Sequence, residues 1–146
     1  MFSYENISDS WIKSYLQIAH IIAQHSKAEK RKVGALLVKD RKIISYGFNG
    51  MPTGMGNTCE DANGKTLPEV LHAELNALAK CSKSTESSSG STMFITLAPC
   101  IKCAQLIIQC GVVQVYYSQQ NKNDGLDLLK RANIPCVYIE CNFQVV

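Results

Sequence analysis

From residue 34 onward the hydrophobic period of this chain keeps switching, and that alternation limits its fold more than any other feature. VGALLV and IISYGF are β-rich runs on either side of the polar turn KDRK, which predicts a hairpin. A helical period over 69–81 follows, with Leu71, Leu75, Leu78 and Ala79 on one face. Next come a strand TMFITL, a helix APCIKCAQLIIQCG stopped by Gly111, and a strand VVQVYYS. A short helix DGLDLLKRAN and a last strand CVYIE complete the series. Ahead of the hairpin, 9–26 repeats Trp11, Tyr15, Ile18 and Ile22 at helical spacing, and Asp9 or Ser10 could cap its start. The order αββαβαβαβ predicts an α/β fold, a three-layer α/β/α sandwich around a mixed five-stranded sheet. No internal repeat divides the 146 residues, so 1–146 is read as a single domain.

Two segments fall outside the alternation. Asn49 to Pro68 carries Gly, Pro, Asn and Thr without periodicity and reads as a functional loop. SKSTESSSGST reads as a mobile surface loop. A net charge of +3 is too small to argue for nucleic acid, though it tolerates an anionic small molecule. No apolar run approaches about 18 residues, so no membrane span is expected. MFSYENISDSW lacks the layout of a signal peptide, and seven cysteines are an odd number for a disulfide framework. Both point to a reducing, cytoplasmic setting. Cys110, Cys136 and Cys141 lie in or beside apolar segments and read as small buried hydrophobes; His20 and His25 read as ordinary helix histidines.

Cys100 and Cys103 are different. Pro99 favours a helix start, and a pair three residues apart on a first turn faces one side. The positive end of the helix dipole favours thiolates there, which suits either a tetrahedral zinc ion or a redox C-x-x-C. The redox reading leaves His72 and Glu74 without a role. Joined, H-x-E at one helix start and P-C-x-x-C at the next form the signature of zinc-dependent nucleobase deaminases. Three ligands, His72, Cys100 and Cys103, leave a fourth position for water, whose pKa zinc lowers towards about 7. Glu74 is expected to stay off the metal, take a proton from the attacking water, protonate the pyrimidine N3 and supply protons to departing ammonia. A closed structural site would need a fourth protein ligand; Cys59 and Cys81 are available, but neither has a partner at ligand spacing.

SKAEKRKVGALLV, ISYGFNGMPTG, HAELNAL and TLAPCIKCAQLIIQCGV, in that order from Ser26 to Val113, resemble the deoxycytidylate (dCMP) deaminases. GFNGMPTG is the discriminating piece, since it looks like that family's G-Y-N-G-x-P-x-G segment. The resemblance implies the cytidine-deaminase sandwich, one catalytic Zn²⁺ per subunit, and conversion of dCMP to dUMP for thymidylate synthesis. It also implies a homo-oligomer, with a hexamer favoured, activated by dCTP and inhibited by dTTP, with no nucleic-acid or membrane partner. Carried over by position, His72, Cys100 and Cys103 are zinc ligands and Glu74 the proton shuttle. Asn49 either meets the substrate's sugar and base through its amide or satisfies its own loop backbone. Gly47, Phe48, Asn49 and Gly50 match the effector segment, where glycines would let N–H groups approach phosphates. Lys30, Arg31 and Lys32 are either phosphate-binding, with Lys32 named for the substrate, or a solvated face.

Three positions depart from the pattern. Phe48 stands where the family has tyrosine, removing a hydroxyl from the effector region. Gln119, Gln120 and Asn121 occupy a loop that often carries an aromatic; Tyr117 either compensates or packs in the core. Cys59 resembles one ligand of an additional zinc site found in some members, but no matching Cys/His set surrounds it in sequence. Rival readings are a tRNA-adenosine, guanine or riboflavin-pathway deaminase, and a non-catalytic nucleotide-sensing zinc module. GFNGMPTG argues against the first group and Glu74 against the second.

Overall fold

The computed structural model describes residues 5–142. Its elements run α1 (Asp9–Ala23), β1 (Gly34–Lys39), β2 (Lys42–Phe48), α2 (Ala73–Ser82), β3 (Thr92–Ile95), α3 (Ile101–Gln109), β4 (Gln114–Tyr117), α4 (Gly125–Arg131) and β5 (Cys136–Tyr138). The order and type of every element match the sequence expectation. The five strands form one sheet in the order β2-β1-β3-β4-β5. β1 runs antiparallel to both β2 and β3, while β3, β4 and β5 are mutually parallel. The β1–β2 hairpin turns at Asp40 and Arg41, both at positive φ (51° and 62°), and the Glu5 carboxylate accepts from both of their N–H groups.

Alternate residues of β1 feed opposite layers, as the two-residue period of a strand requires. Ala35 and Leu37 join Met93, Ile95, Val115 and residues of α2, α3 and α4 in one core. Leu36 and Val38 join Phe94, Tyr116 and α1 in the other. The outcome is α1 on one face and α2, α3 and α4 on the opposite one. Tyr117 lies in the first core, 7% exposed, with its ring 5.7 Å from that of Tyr138, so packing occupies it.

Several boundaries differ from the reading of the sequence, each for a local reason. α1 buries Ile12, Tyr15, Leu16, Ala19 and Ala23, a stripe that leaves Trp11 57% exposed. Its cap position is Ser8, which makes no side-chain capping bond, and not Asp9 or Ser10. α2 begins at Ala73 because Leu71 exchanges backbone hydrogen bonds with Gly50 (3.1 and 2.8 Å) and so stays extended. It buries Ala73, Glu74, Ala77, Leu78 and Cys81, leaving Ala79 exposed. The serine-rich segment is pinned where it enters β3: Ser88 donates to the Cys110 carbonyl (2.7 Å), and Ser91 is fully buried. Cys110, Cys136 and Cys141 are half-buried at the edges of the cores.

Candidate active site

α2 and α3 both start at the same end of the sheet, and their cap residues carry the chemistry. His72 is the N-cap of α2 and Cys100 that of α3; both are extended, and neither makes a side-chain capping bond. Pro99 thus precedes the cap, and Cys103 sits one turn inside α3. The two cap side chains point at one another instead of back to their helices. Nδ1 of His72 lies 3.5 Å from Sγ of Cys100 and 3.3 Å from Sγ of Cys103. All three ligand atoms lie within 4.8 Å of one another, and among the described residues no other such group of His, Cys, Asp or Glu is found.

This donor set fits zinc. Thiolate and imidazole ligands at ordinary zinc distances on a tetrahedron stand about 3.6 Å apart. The N–S separations here match that spacing, so little movement is needed to take up the ion. The helix N-termini behind both caps add positive potential that favours thiolates. Burial, the Glu74 carboxyl and the Cys100 thiol push the Cys103 thiol far up when no cation is present, and a divalent ion reverses that balance.

Glu74, in the first turn of α2, is 4% exposed and outside the ligand group. Burial raises its carboxyl pKa, opposed by its own backbone N–H, by His72 and by the Cys103 thiol, which donates to it. Desolvation of this kind disfavours the charged carboxylate and so favours the form that has taken up a proton.

The group opens into a cleft of about 190 Å³ whose wall includes Ala28, Arg31, Asn49, Glu60, Glu74 and Asn121. A cavity of about 520 Å³ lies at the other end of β1, beside Trp11, Tyr15 and Arg41, but it contains no ligand group. The smaller cleft therefore carries the chemistry.

A cytidine and deoxycytidylate deaminase zinc-binding region model matches residues 9–119. This chain belongs to that family. A dCMP deaminase from cyanophage S-TIM5, solved in complex with dCMP and dUMP, superposes with a TM-score of 0.89. It is 39% identical, over 92% of this chain and 100% of that one. The human deoxycytidylate deaminase is 35% identical over 123 residues, spanning 79% of this chain and 68% of the relative. ComE operon protein 2 of Bacillus subtilis is 31% identical over 143 residues, spanning 94% of this chain and 75% of its own length. As a family member the chain is a zinc-type deaminase of the cytidine-deaminase fold, and His72, Cys100 and Cys103 form the group that suits its metal.

The remaining sequence candidates divide. Asn49 lines the cleft, yet its Oδ1 accepts from Val33 N–H (2.9 Å) and its Nδ2 donates to the Arg31 carbonyl (2.8 Å). The amide thus bonds the backbone of the segment before β1, not that of its own loop, and keeps further capacity on each side. Lys30, Arg31 and Lys32 are all exposed, and of the three Arg31 alone lines the cleft. At Gly47 a Cβ would lie 2.5 Å from the Ala77 nitrogen, so its bareness serves the packing of β2 on α2. Gly50 gives its N–H to Leu71. Phe48 is half-buried, with its carbonyl accepting from Asn76 Nδ2 (2.7 Å) and its ring 6.2 Å from that of His25.

Two wall residues had no role assigned from sequence. Asn121, which stands where the family often has an aromatic, reaches the cleft by donating to the Ala98 carbonyl (3.4 Å). Glu60 reaches it from the long loop. Neither belongs to a motif, and only the residues they touch give them away. Cys59 beside it is buried, donates to the Asn57 carbonyl (3.6 Å), and has its thiol pKa raised by burial.

Proposed function

We propose that the chain deaminates dCMP hydrolytically to dUMP and ammonia, using one zinc ion held by His72, Cys100 and Cys103. The observation that carries this reading is Glu74: a buried carboxyl against a ligand thiol, yet outside the ligand group. A site that only held a metal would gain nothing from desolvating a carboxyl there. Zinc, when bound, supplies a water that loses its proton near neutral pH. Glu74 would take that proton and deliver it to N3 as the water's oxygen adds to C4, then move the proton of the new C4 hydroxyl to the amino group, which leaves as ammonia. Buried beside the ligand thiol yet outside the ligand group, the carboxyl is placed to receive the proton and to return it. Asn49 and Asn121 hold the sugar and base with their free amide capacity, and Leu97 and Ala98 exclude water from the wall.

The relatives named deoxycytidylate deaminase support dCMP as the substrate, as does the cyanophage enzyme solved with dCMP and dUMP. On this reading the product feeds thymidylate synthesis. Control by dCTP and dTTP through Gly47, Phe48, Asn49 and Gly50, and assembly as a hexamer, extend the same proposal. The surface beside Gly50, where a Cβ would meet no atom, leaves room for an effector. Seven free cysteines support work in the reducing cytoplasm.

The test is a substrate panel on zinc-loaded protein: dCMP, CMP, deoxycytidine and cytosine, each followed by ammonia release. Turnover of dCMP well above the others is expected. Loaded protein that deaminates no pyrimidine overturns the proposal. A rate that does not respond to dCTP or dTTP removes the effector part alone.

A further inference from the structure

We infer that Arg31 gives the cleft its preference for a 5′-phosphorylated ligand, and that Glu60 is a positioning residue holding Arg31 on the wall. The inference deepens the proposed deamination of dCMP by naming where its phosphate is held. Among the residues lining the cleft, Arg31 is the one with a fixed positive charge. Its guanidinium is not spent on a carboxylate: the ion pair found among the described residues joins Arg131 to Asp127. A planar guanidinium matches two oxygens of a phosphate at once, which a lysine ammonium does not do. Lys30 and Lys32 flank Arg31 in sequence and are exposed as it is, but neither lines the wall.

Arg31 sits in a segment without helix or strand, and that segment is fixed on both sides from distant parts of the chain. On one side, Oε2 of Glu60 accepts from the backbone N–H groups of Glu29 (3.1 Å) and Lys30 (3.2 Å). On the other, Asn49 holds the Arg31 carbonyl and the Val33 N–H. Glu60 is itself braced by its backbone bridge to Thr66 and by the Leu67 N–H bonded to the Cys59 carbonyl (2.8 Å). The clamp thus fixes the main chain next to the guanidinium before any ligand arrives, which removes part of the ordering cost of binding. Glu60 and Glu74 are the two carboxylates among the residues lining the cleft. Two N–H donors on one oxygen of Glu60 offset much of its repulsion towards a phosphate.

The experiment compares dUMP with deoxyuridine binding to zinc-loaded protein by titration calorimetry, in the wild type and in Arg31→Gln, Glu60→Ala and Glu60→Gln. Zinc content and circular dichroism establish that each variant is folded. Wild type should bind dUMP more tightly than deoxyuridine. Arg31→Gln should cut that preference by about ten- to a hundredfold, the worth of one charge-assisted pair. Glu60→Ala should reproduce most of the loss, and Glu60→Gln, whose amide oxygen still accepts both N–H groups, should stay within about threefold of wild type. A wild type that does not prefer dUMP, or an Arg31→Gln variant that keeps the preference or weakens both ligands equally, overturns the subsite. Glu60→Ala with the wild-type preference, or Glu60→Gln as damaged as Glu60→Ala, overturns the clamp. Because binding is read without turnover, a protein that prefers dUMP but does not deaminate dCMP refutes the activity and leaves Arg31 standing.

Discussion

His72 and Glu74 stand two residues apart on one helix start, and their surroundings push them towards opposite uses. His72 is exposed at the cap with Nδ1 facing two thiols, while Glu74 is buried within the first turn. Glu74→Gln keeps the shape but cannot carry a proton. It should retain zinc, measured by metal analysis, while ammonia release from dCMP falls by about 10²–10⁴-fold. Loss of the metal together with activity would show that Glu74 ligates it. Asn49→Ala tests a different residue-scale dependence, because it strips the partners from the Val33 N–H and the Arg31 carbonyl. It should cost about 1–2 kcal/mol in urea unfolding, at the low end because solvent reaches the Arg31 carbonyl. That His72, Cys100 and Cys103 would meet was legible from the joined H-x-E and P-C-x-x-C signature, which puts ligands at the starts of two successive helices. That Arg31 and not Lys32 would face the cleft was not. The two are adjacent cations in an irregular segment, and the choice is made by Asn49 and Glu60, 18 and about 30 positions away.

At the scale of elements, α2 is the part on which the site depends most, and β2 decides how closely it can lie. Gly47 faces α2 backbone directly, with the Ala73 carbonyl oxygen 2.7 Å and the Ala77 nitrogen 2.5 Å from where a Cβ would sit. Neither neighbour is a flexible side chain that could turn aside. Gly47→Ala should lift α2 from the sheet at a cost of about 1–3 kcal/mol, the usual penalty of overpacking. Because α2 carries both His72 and Glu74, zinc affinity should fall with it, measured by competition with a chromophoric chelator. An unchanged affinity with lowered stability would mean that the start of α2 is held from the Gly50–Leu71 bridge instead. The hydrophobic period revealed every element, yet misplaced faces wherever a contact from elsewhere in the chain intervened. Trp11 matched the helical spacing of α1 but missed the stripe that meets Leu36 and Phe94. Leu71 matched that of α2 but was drawn into the bridge with Gly50. A serine tract read as mobile is held by Ser88 on the end of α3, a contact with no periodic trace.

Across the whole molecule, the ligand group ties the start of α2 to the start of α3 on the one face where α2, α3 and α4 share a core. α1 and its own core lie on the other side of the sheet and have no stake in the metal. Metal removal should therefore loosen one layer more than the other. A ligand present at a thousand times its dissociation constant stabilises the folded chain by about 4 kcal/mol. For a chain of this length that corresponds to roughly 10 °C in Tm. Stripping zinc with a chelator should lower Tm by an amount of that order. Amide exchange should accelerate in α2 and α3 well before α1. The effect carries a sign in pH, because the imidazole and both thiols must give up protons to hold the ion. The chelator-sensitive share of Tm should be largest at about pH 8 and shrink towards about pH 5. Cys103→Ser, lacking the ligand whose thiol is pushed furthest up by burial, should melt at nearly the same temperature with and without chelator. Equal acceleration of exchange in α1 and α2 would mean instead that the two cores unfold as one unit, with zinc stabilising the entire sandwich.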